Sequence, residues 1–131
     1  MTAVVRGPQR WFMASAERPS LFVERTAARL RVTRCVLGLT QRAIAEMCGV
    51  SEARWSNWER ADHLPDILAM SQMASLFGIS LDWIYRGDLA GMPWPLVSEL
   101  RRRRPDLVLG ADPDAKPSDD WDTLAAKRPA A

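Results

Sequence analysis

QRAIAEMCGVSEARWSNWER, residues 41–60, decides how this chain folds. Two short helical stretches meet at Gly49. Thr40 stands before the first and Ser51 before the second, and each hydroxyl can accept from an orphan N–H of the helix it opens. Over 41–48 the pattern turns Ile44, Ala45 and Cys48 inward. Over 52–60 most positions are polar, yet two tryptophans lie three apart, at Trp55 and Trp58. That spacing puts both indoles on one helix face. They are expected to be core, with Glu52, Ala53, Arg54 and Asn57 left facing outward. Gly49 occupies a sharp turn that suits positive φ. Ala45 is small where the two helices pass closest, and Val50, Trp55 and Trp58 fill the angle between them.

A small residue, a glycine four later, then apolar residues six and nine beyond it form helix-turn-helix spacing, with helices crossing at roughly 90–120°. Helical patterns extend on both sides. Ser20 is expected to cap a helix over 21–37, with Leu30, Thr33 and Leu37 on one face and Gly38 ending it. Pro65 or Asp66 opens a helix to Phe77 whose stripe is Ile67, Met70, Met73, Ala74 and Phe77. Gly78 ends it, Ser80 caps the next, and LDWIYRG closes at Gly87. No run alternates as a half-buried strand would. The fold class expected is all-α, a compact five-helix domain over 20–88. It carries a flexible N-terminal arm at 1–19 and a C-terminal extension at 89–131, with a short helix over 95–104 and then a disordered tail.

Composition narrows the function classes. Of 131 residues, 26% are charged, but the net charge is only +2, so a case for nucleic acid must come from positions rather than totals. Cys35 and Cys48 form no CxxC and His63 is the lone histidine, so no metal, disulfide framework or cofactor is expected. Nucleophile-elbow, P-loop and HExxH motifs are missing, and no catalytic residues are expected. No apolar run approaches the roughly 18 residues of a membrane span, and MTAVVRGPQR has no signal-peptide core. A cytoplasmic, nucleoid-associated protein is the expectation.

The stretch LGLTQRAIAEMCGVSEARWSNWER, residues 37–60, resembles the Cro/Xre (lambda-repressor-like) helix-turn-helix DNA-binding family. LPDILAMSQMASLFGISLDWIYRGD, residues 64–88, is similar to that family's fourth and fifth helices. The resemblance covers 24–88. It implies a recognition helix at 52–60 whose base-facing positions are Glu52, Ala53, Arg54 and Asn57. It also implies that Gln41 contacts a DNA phosphate and braces that helix, and that Arg34 and Glu59 form a charged pair tying the first helix to the third. The chemistry of the positions agrees. Arg54 can pair bidentately with guanine and Asn57 with adenine in a major groove about 12 Å wide. Backbone donors at Ser51 suit a phosphate, and Arg42 adds another contact. Glu52 either accepts from cytosine N4 or complements the helix dipole. Ala61 departs from the family's usual glycine, so the chain is expected to leave the helix differently or under strain. Trp55 replaces the usual branched aliphatic.

Outside that frame, Arg101–Arg104 reads either as a phosphate grip or as a solvated helix end. Trp94, Leu96, Val97 and Leu100 read as an amphipathic helix docking on the domain or on a second subunit. Trp83 reads as core, and Trp121 as a partner anchor or a passive tail residue. The function expected is sequence-specific binding of double-stranded DNA by a bacterial or phage transcriptional regulator, a repressor by type. It would act as a homodimer on a pseudo-palindromic operator. The alternative is an antitoxin-like protein-interaction module using residues 92–131 for a protein partner.

Overall fold

A computed structural model of the chain describes residues 18–126. These residues form α1 (Pro19–Val36), α2 (Gln41–Met47), α3 (Glu52–Glu59), α4 (Ile67–Phe77), α5 (Leu81–Arg86) and α6 (Trp94–Arg103), then a 3-10 turn at Pro105–Leu107. No strand occurs among the described residues, and the fold is all-α. The expected arm falls mostly outside the described residues, as do the last five positions of the tail.

Local chemistry sets the helix starts. Thr40 Oγ1 accepts from the Ala43 N–H, Ser51 Oγ from Arg54 and Ser80 Oγ from Trp83, so α2, α3 and α5 each begin on a hydroxyl cap. Asp66 caps α4 through the Leu68 N–H. Ser20 does not cap α1: Arg18 stands at the cap position without a side-chain bond, and Pro19 opens the helix. Proline suits a first helical position because its fixed φ fits there and no N–H is lost.

Leu30, Val32, Ile44, Trp55, Trp58, Met70, Met73, Trp83 and Ile84 make the centre of the core. Trp83 donates its indole N–H to Thr33 Oγ1 at 2.8 Å, and the Thr33 hydroxyl donates to the Arg29 carbonyl at 2.6 Å. The ring's one polar atom is thereby satisfied inside the core. Ile67 departs from the expected α4 stripe: it is 66% exposed, because the first turn after Asp66 projects from the bundle and the buried face starts at Ala69 and Met70.

The C-terminal extension does not follow the expected division. Leu89, Met92, Leu96, Val97, Leu100 and Leu107 belong to the same core as the five preceding helices. The Leu109 N–H donates to the Gly87 carbonyl at 2.8 Å, and the Arg29 Nε to the Leu107 carbonyl at 3.0 Å. Gly87, at φ 80°, leaves no room for a Cβ because the Leu107 carbonyl oxygen lies against it.

The stretch expected as a disordered tail is laid down on the domain as a strap. The Ser118 N–H donates to the Arg103 carbonyl at 2.9 Å, and the Ala125 N–H to the Cys35 carbonyl at 2.8 Å. Between these points the Trp121 ring lies under two guanidiniums, Arg104 at 4.4 Å and Arg31 at 5.2 Å. Polar composition suggests solvation, but here the acidic side chains find arginines: Asp120 meets Arg102 at 3.1 Å and Asp122 meets Arg31 at 3.4 Å.

Candidate nucleic-acid interface

α2 and α3 are joined by a turn whose geometry follows from two residues. Gly49 takes φ 75°, a conformation that costs glycine nothing. The Val50 N–H then reaches back to the Ala45 carbonyl at 3.0 Å. Ala45 is buried, where a longer side chain would push α3 away. Under α3 the two indoles meet at 5.5 Å between centroids with a 57° tilt, and both are buried.

The end of α3 is fixed by one carboxylate. Glu59 Oε2 accepts from Arg34 Nε and from the Trp55 indole N–H, each at 2.6 Å. Glu59 Oε1 accepts from Arg34 Nη2 and from the Gln41 side-chain amide, each at 3.0 Å. Arg34 Nη1 also donates to the Leu39 carbonyl at 2.8 Å. The Glu59 side chain is only 3% exposed, so its charge depends on this complete set of donors. Burial disfavours the charge on Arg34, but the hydrogen bond and Coulomb attraction of Glu59 outweigh it, and the pKa lies above its ordinary value. The carboxylate thus joins α1, the start of α2 and two turns of α3. The Trp55 contribution was not anticipated. Its signal lay in the sequence, an indole and a glutamate four apart on one helix, where i and i+4 side chains meet.

Along the rest of α3, Glu52, Ala53 and Arg54 are exposed and Asn57 is half-buried, Ala53 and Asn57 standing opposite the buried indoles. The Arg54 guanidinium lies 5.4 Å from the Trp58 ring centroid and 3.8 Å from Asp66 Oδ2. The Asn57 side-chain carbonyl accepts from Arg60, whose guanidinium also reaches Ser56 Oγ at 2.8 Å and Asp62 at 3.2 Å. Arg42 and Ser51 are exposed at the helix starts beside them, and Gln41 is half-buried. Arg42, Ser51, Glu52, Ala53 and Arg54 are thus exposed and Asn57 half-buried on the α2–α3 unit. The half-buried Gln41 turns its amide in to Glu59.

Ala61 keeps the left-handed conformation at φ 62°, the one non-glycine residue with positive φ among those described. The Ala61 N–H donates to the Trp58 carbonyl at 3.2 Å and the Asp62 N–H to the Asn57 carbonyl at 3.0 Å. The chain thus leaves α3 along a glycine-like path and carries the strain of a Cβ there.

The arginine run lies elsewhere and is largely occupied. Arg102 meets Glu99 at 2.6 Å as well as Asp120. Arg103 is buried, reaching Glu99 at 2.9 Å and the Thr123 carbonyl. Arg104 meets Asp106 at 2.8 Å. Hydrogen bonds from Arg102 and Arg103 hold Glu99 down at a pKa of about 2, and those from Arg102 and Ser118 hold Asp120 at about 2. Arg101 alone of the four is exposed without such a pairing shown. Burial raises the pKa of both Cys35 and Cys48, so the thiols stay protonated, and neither is in a disulfide. His63 is exposed in the loop after α3, and no cluster of metal-binding side chains occurs among the described residues.

Residues 30–84 match the protein-family model described as helix-turn-helix, a stretch running from the middle of α1 into α5. No curated protein and no solved structure matches the chain.

Proposed function

We propose that this protein, whose residues 30–84 match a Cro/C1-type helix-turn-helix model, reads a specific double-stranded DNA site and represses transcription from it, in a bacterium or its phage. The observation that carries the reading is the two-sided character of α3. Trp55, Trp58 and Glu59 are locked beneath it, while Arg54 and Asn57 lie on its free side.

Inserted in the major groove, Arg54 leaves Asp66 for the N7 and O6 acceptors of guanine, and Asn57 exchanges Arg60 for adenine. Glu52 accepts from cytosine N4, and Ala53 is short enough to let the backbone approach or to touch a thymine methyl. Gln41, Arg42 and the backbone at Ser51 hold flanking phosphates and fix the register. A homodimer would place two such helices on half-sites about one turn of DNA apart, or a multiple of it.

Selection of bound DNA from a random pool by the purified full chain tests this. A two-part motif with inverted symmetry is the expected result, and a pool that enriches nothing overturns the reading. On the selected site, Arg54→Ala should cost about 1–3 kcal/mol of affinity and relax preference at one base pair. Gln41→Ala should weaken all sites alike.

A second reading draws on Trp94, which is 72% exposed on α6 beside the apolar residues Pro95 and Leu96. There the protein would be an antitoxin-like module that binds a protein partner through residues 92–131. Stoichiometric co-purification of such a partner, with no salt-dependent DNA affinity, would favour it over repression.

A further inference from the structure

Helix α4 reads ILAMSQMASLF and carries no charged residue along its 11 positions. Ala69, Met70 and Met73 are buried in the core. The outward face holds Ile67, Leu68, Ser71, Gln72, Ser75 and Leu76, all exposed. A helix on the surface of a solitary domain turns charged and polar residues to water. Here Leu68 is 76% exposed, with Ile67 and Leu76 exposed at the two edges of the same face.

Apolar surface continues past both ends of α4. Leu64 is exposed just before it. At the other end a Cβ on Gly78 would lie 3.5 Å from Pro93 Cγ, so the start of α6, with its exposed Trp94, stands beside the end of α4. Leu64, Ile67, Leu68, Leu76 and Trp94 together present on the order of 500 Å² of apolar surface. Doubled across a two-fold axis that is about 1,000 Å², the size at which a specific interface begins and well short of an obligate one.

The chemistry of the face fits a second copy of itself. With no charge on it, an identical face meets it without repulsion and without burying an unpaired ion. Leu68 and Ser75 lie on one stripe, equally far from the midpoint of the helix between Ser71 and Gln72. Antiparallel packing about that midpoint sets each Leu68 against Ser75 of the second copy, a large side chain against a small one. It also brings the N-terminus of each helix beside the C-terminus of the other, where their dipoles attract. The helix has no Lys or Arg to hold an anionic membrane.

We propose that α4 is a self-association surface, on which two copies of this chain pack α4 against α4, antiparallel, about a two-fold axis between Ser71 and Gln72. The pairing gives the homodimer of the DNA-binding reading its surface, and its role rests on that reading. Arg54 lies 3.8 Å from Asp66, the residue that caps α4, so the pairing also sets the spacing of the two α3 helices. Ser71 faces its own counterpart across the axis. Helices about 8–9 Å apart bring those two Cα atoms to on the order of 5–6 Å, within reach of a disulfide.

Sedimentation equilibrium of the full chain without DNA, across the micromolar range, tests the pairing. A reversible monomer–dimer equilibrium is expected. Leu68→Glu should weaken the dimer by about tenfold or more, since its carboxylate would be buried with no cation opposite. Ser75→Lys should weaken it as well. The two together should restore it, because antiparallel packing sets each new carboxylate against the other copy's new ammonium. Both positions are exposed in the single chain, so folding is spared, and circular dichroism checks this. Ser71→Cys should give a disulfide-linked dimer under mild oxidation, and Asp114→Cys, exposed off this face, should not. The native Cys35 and Cys48 are buried and stay out of the reaction.

A chain that stays monomeric throughout, or a dimer equally tight in Leu68→Glu, overturns the interface. A monomer that instead holds a different protein in stoichiometric amount, released by Leu68→Glu, overturns self-association and gives the face to that partner. A double variant that does not recover overturns the antiparallel arrangement. With no DNA present, none of these results touches the DNA-binding reading. A dimer through α4 that selects no duplex keeps the interface and removes that reading.

Discussion

Glu59 shows what one buried charge can organise. Its two oxygens take four donors from three helices, and a carboxylate so enclosed is stable only while every partner remains. Replacing it leaves Arg34 charged and unpaired at a site where little water enters. Glu59→Ala should lower unfolding free energy by about 3–5 kcal/mol, the range for breaking a buried pair on one side, as read by urea denaturation. Ala61 poses the opposite case. Its left-handed backbone costs an L-residue roughly 1–2 kcal/mol, part of which glycine would return as chain entropy in the unfolded state. Ala61→Gly should therefore raise stability by about 0.5–1 kcal/mol in the same denaturation experiment, with DNA selection unchanged. Both residues were visible in the sequence, Glu59 as half of a pair and Ala61 as an oddity. The full donor set of Glu59 was not, because Trp55 there looked only like bulk.

At the scale of elements, the helices were legible where their signals are local. Thr40, Ser51 and Ser80 cap as their positions suggest, and Gly49 turns the chain where the spacing requires it. Helix α6 begins one residue earlier than expected, at Trp94. The strap was not legible, because each of its anchors joins residues far apart in sequence, as Asp122 with Arg31 does. An aspartate-rich stretch looks solvated until its arginines are brought beside it. These anchors make the strap sensitive to acid. Glu99 and Asp120 both titrate at about 2 in the folded chain, below their ordinary carboxylate values. A depressed folded pKa means that the stabilisation is fully present above the unfolded value, near 4, and is lost as pH falls toward 2. Amide exchange at Ser118 and Ala125, whose N–H groups tie the strap down, should accelerate across that window relative to core amides such as Met70. Asp120→Asn should show part of that acceleration already at neutral pH. Equal protection at Ser118 in the variant and the unaltered chain at pH 7 would contradict this account.

For the whole molecule, the modest charge of +2 has a structural counterpart. Arg31, Arg34, Arg60, Arg102, Arg103 and Arg104 each meet a carboxylate within the chain. These six of the 18 Lys and Arg side chains are compensated locally, which lowers the attraction for arbitrary DNA that uncompensated cations set. On the proposed DNA-binding reading, discrimination depends on the exposed side chains of α3, and competitor DNA of random sequence should displace the protein poorly from its selected site. Titrating unlabelled random duplex against the selected one measures this, and equal potency would contradict it. Total composition gave no hint of this pairing, since counts of opposite sign say nothing about which groups touch.

The shared core of α6 and the five preceding helices has a practical corollary for moving this helix-turn-helix between proteins. A graft ending at residue 88 would strip Leu96, Val97, Leu100 and Leu107 from beneath α1 and leave the Arg29 guanidinium without the carbonyl it reaches. The portable unit is the longer one, which keeps α6 and the strap as far as Ala125, whose carbonyl oxygen lies where a side chain on Gly38 would stand.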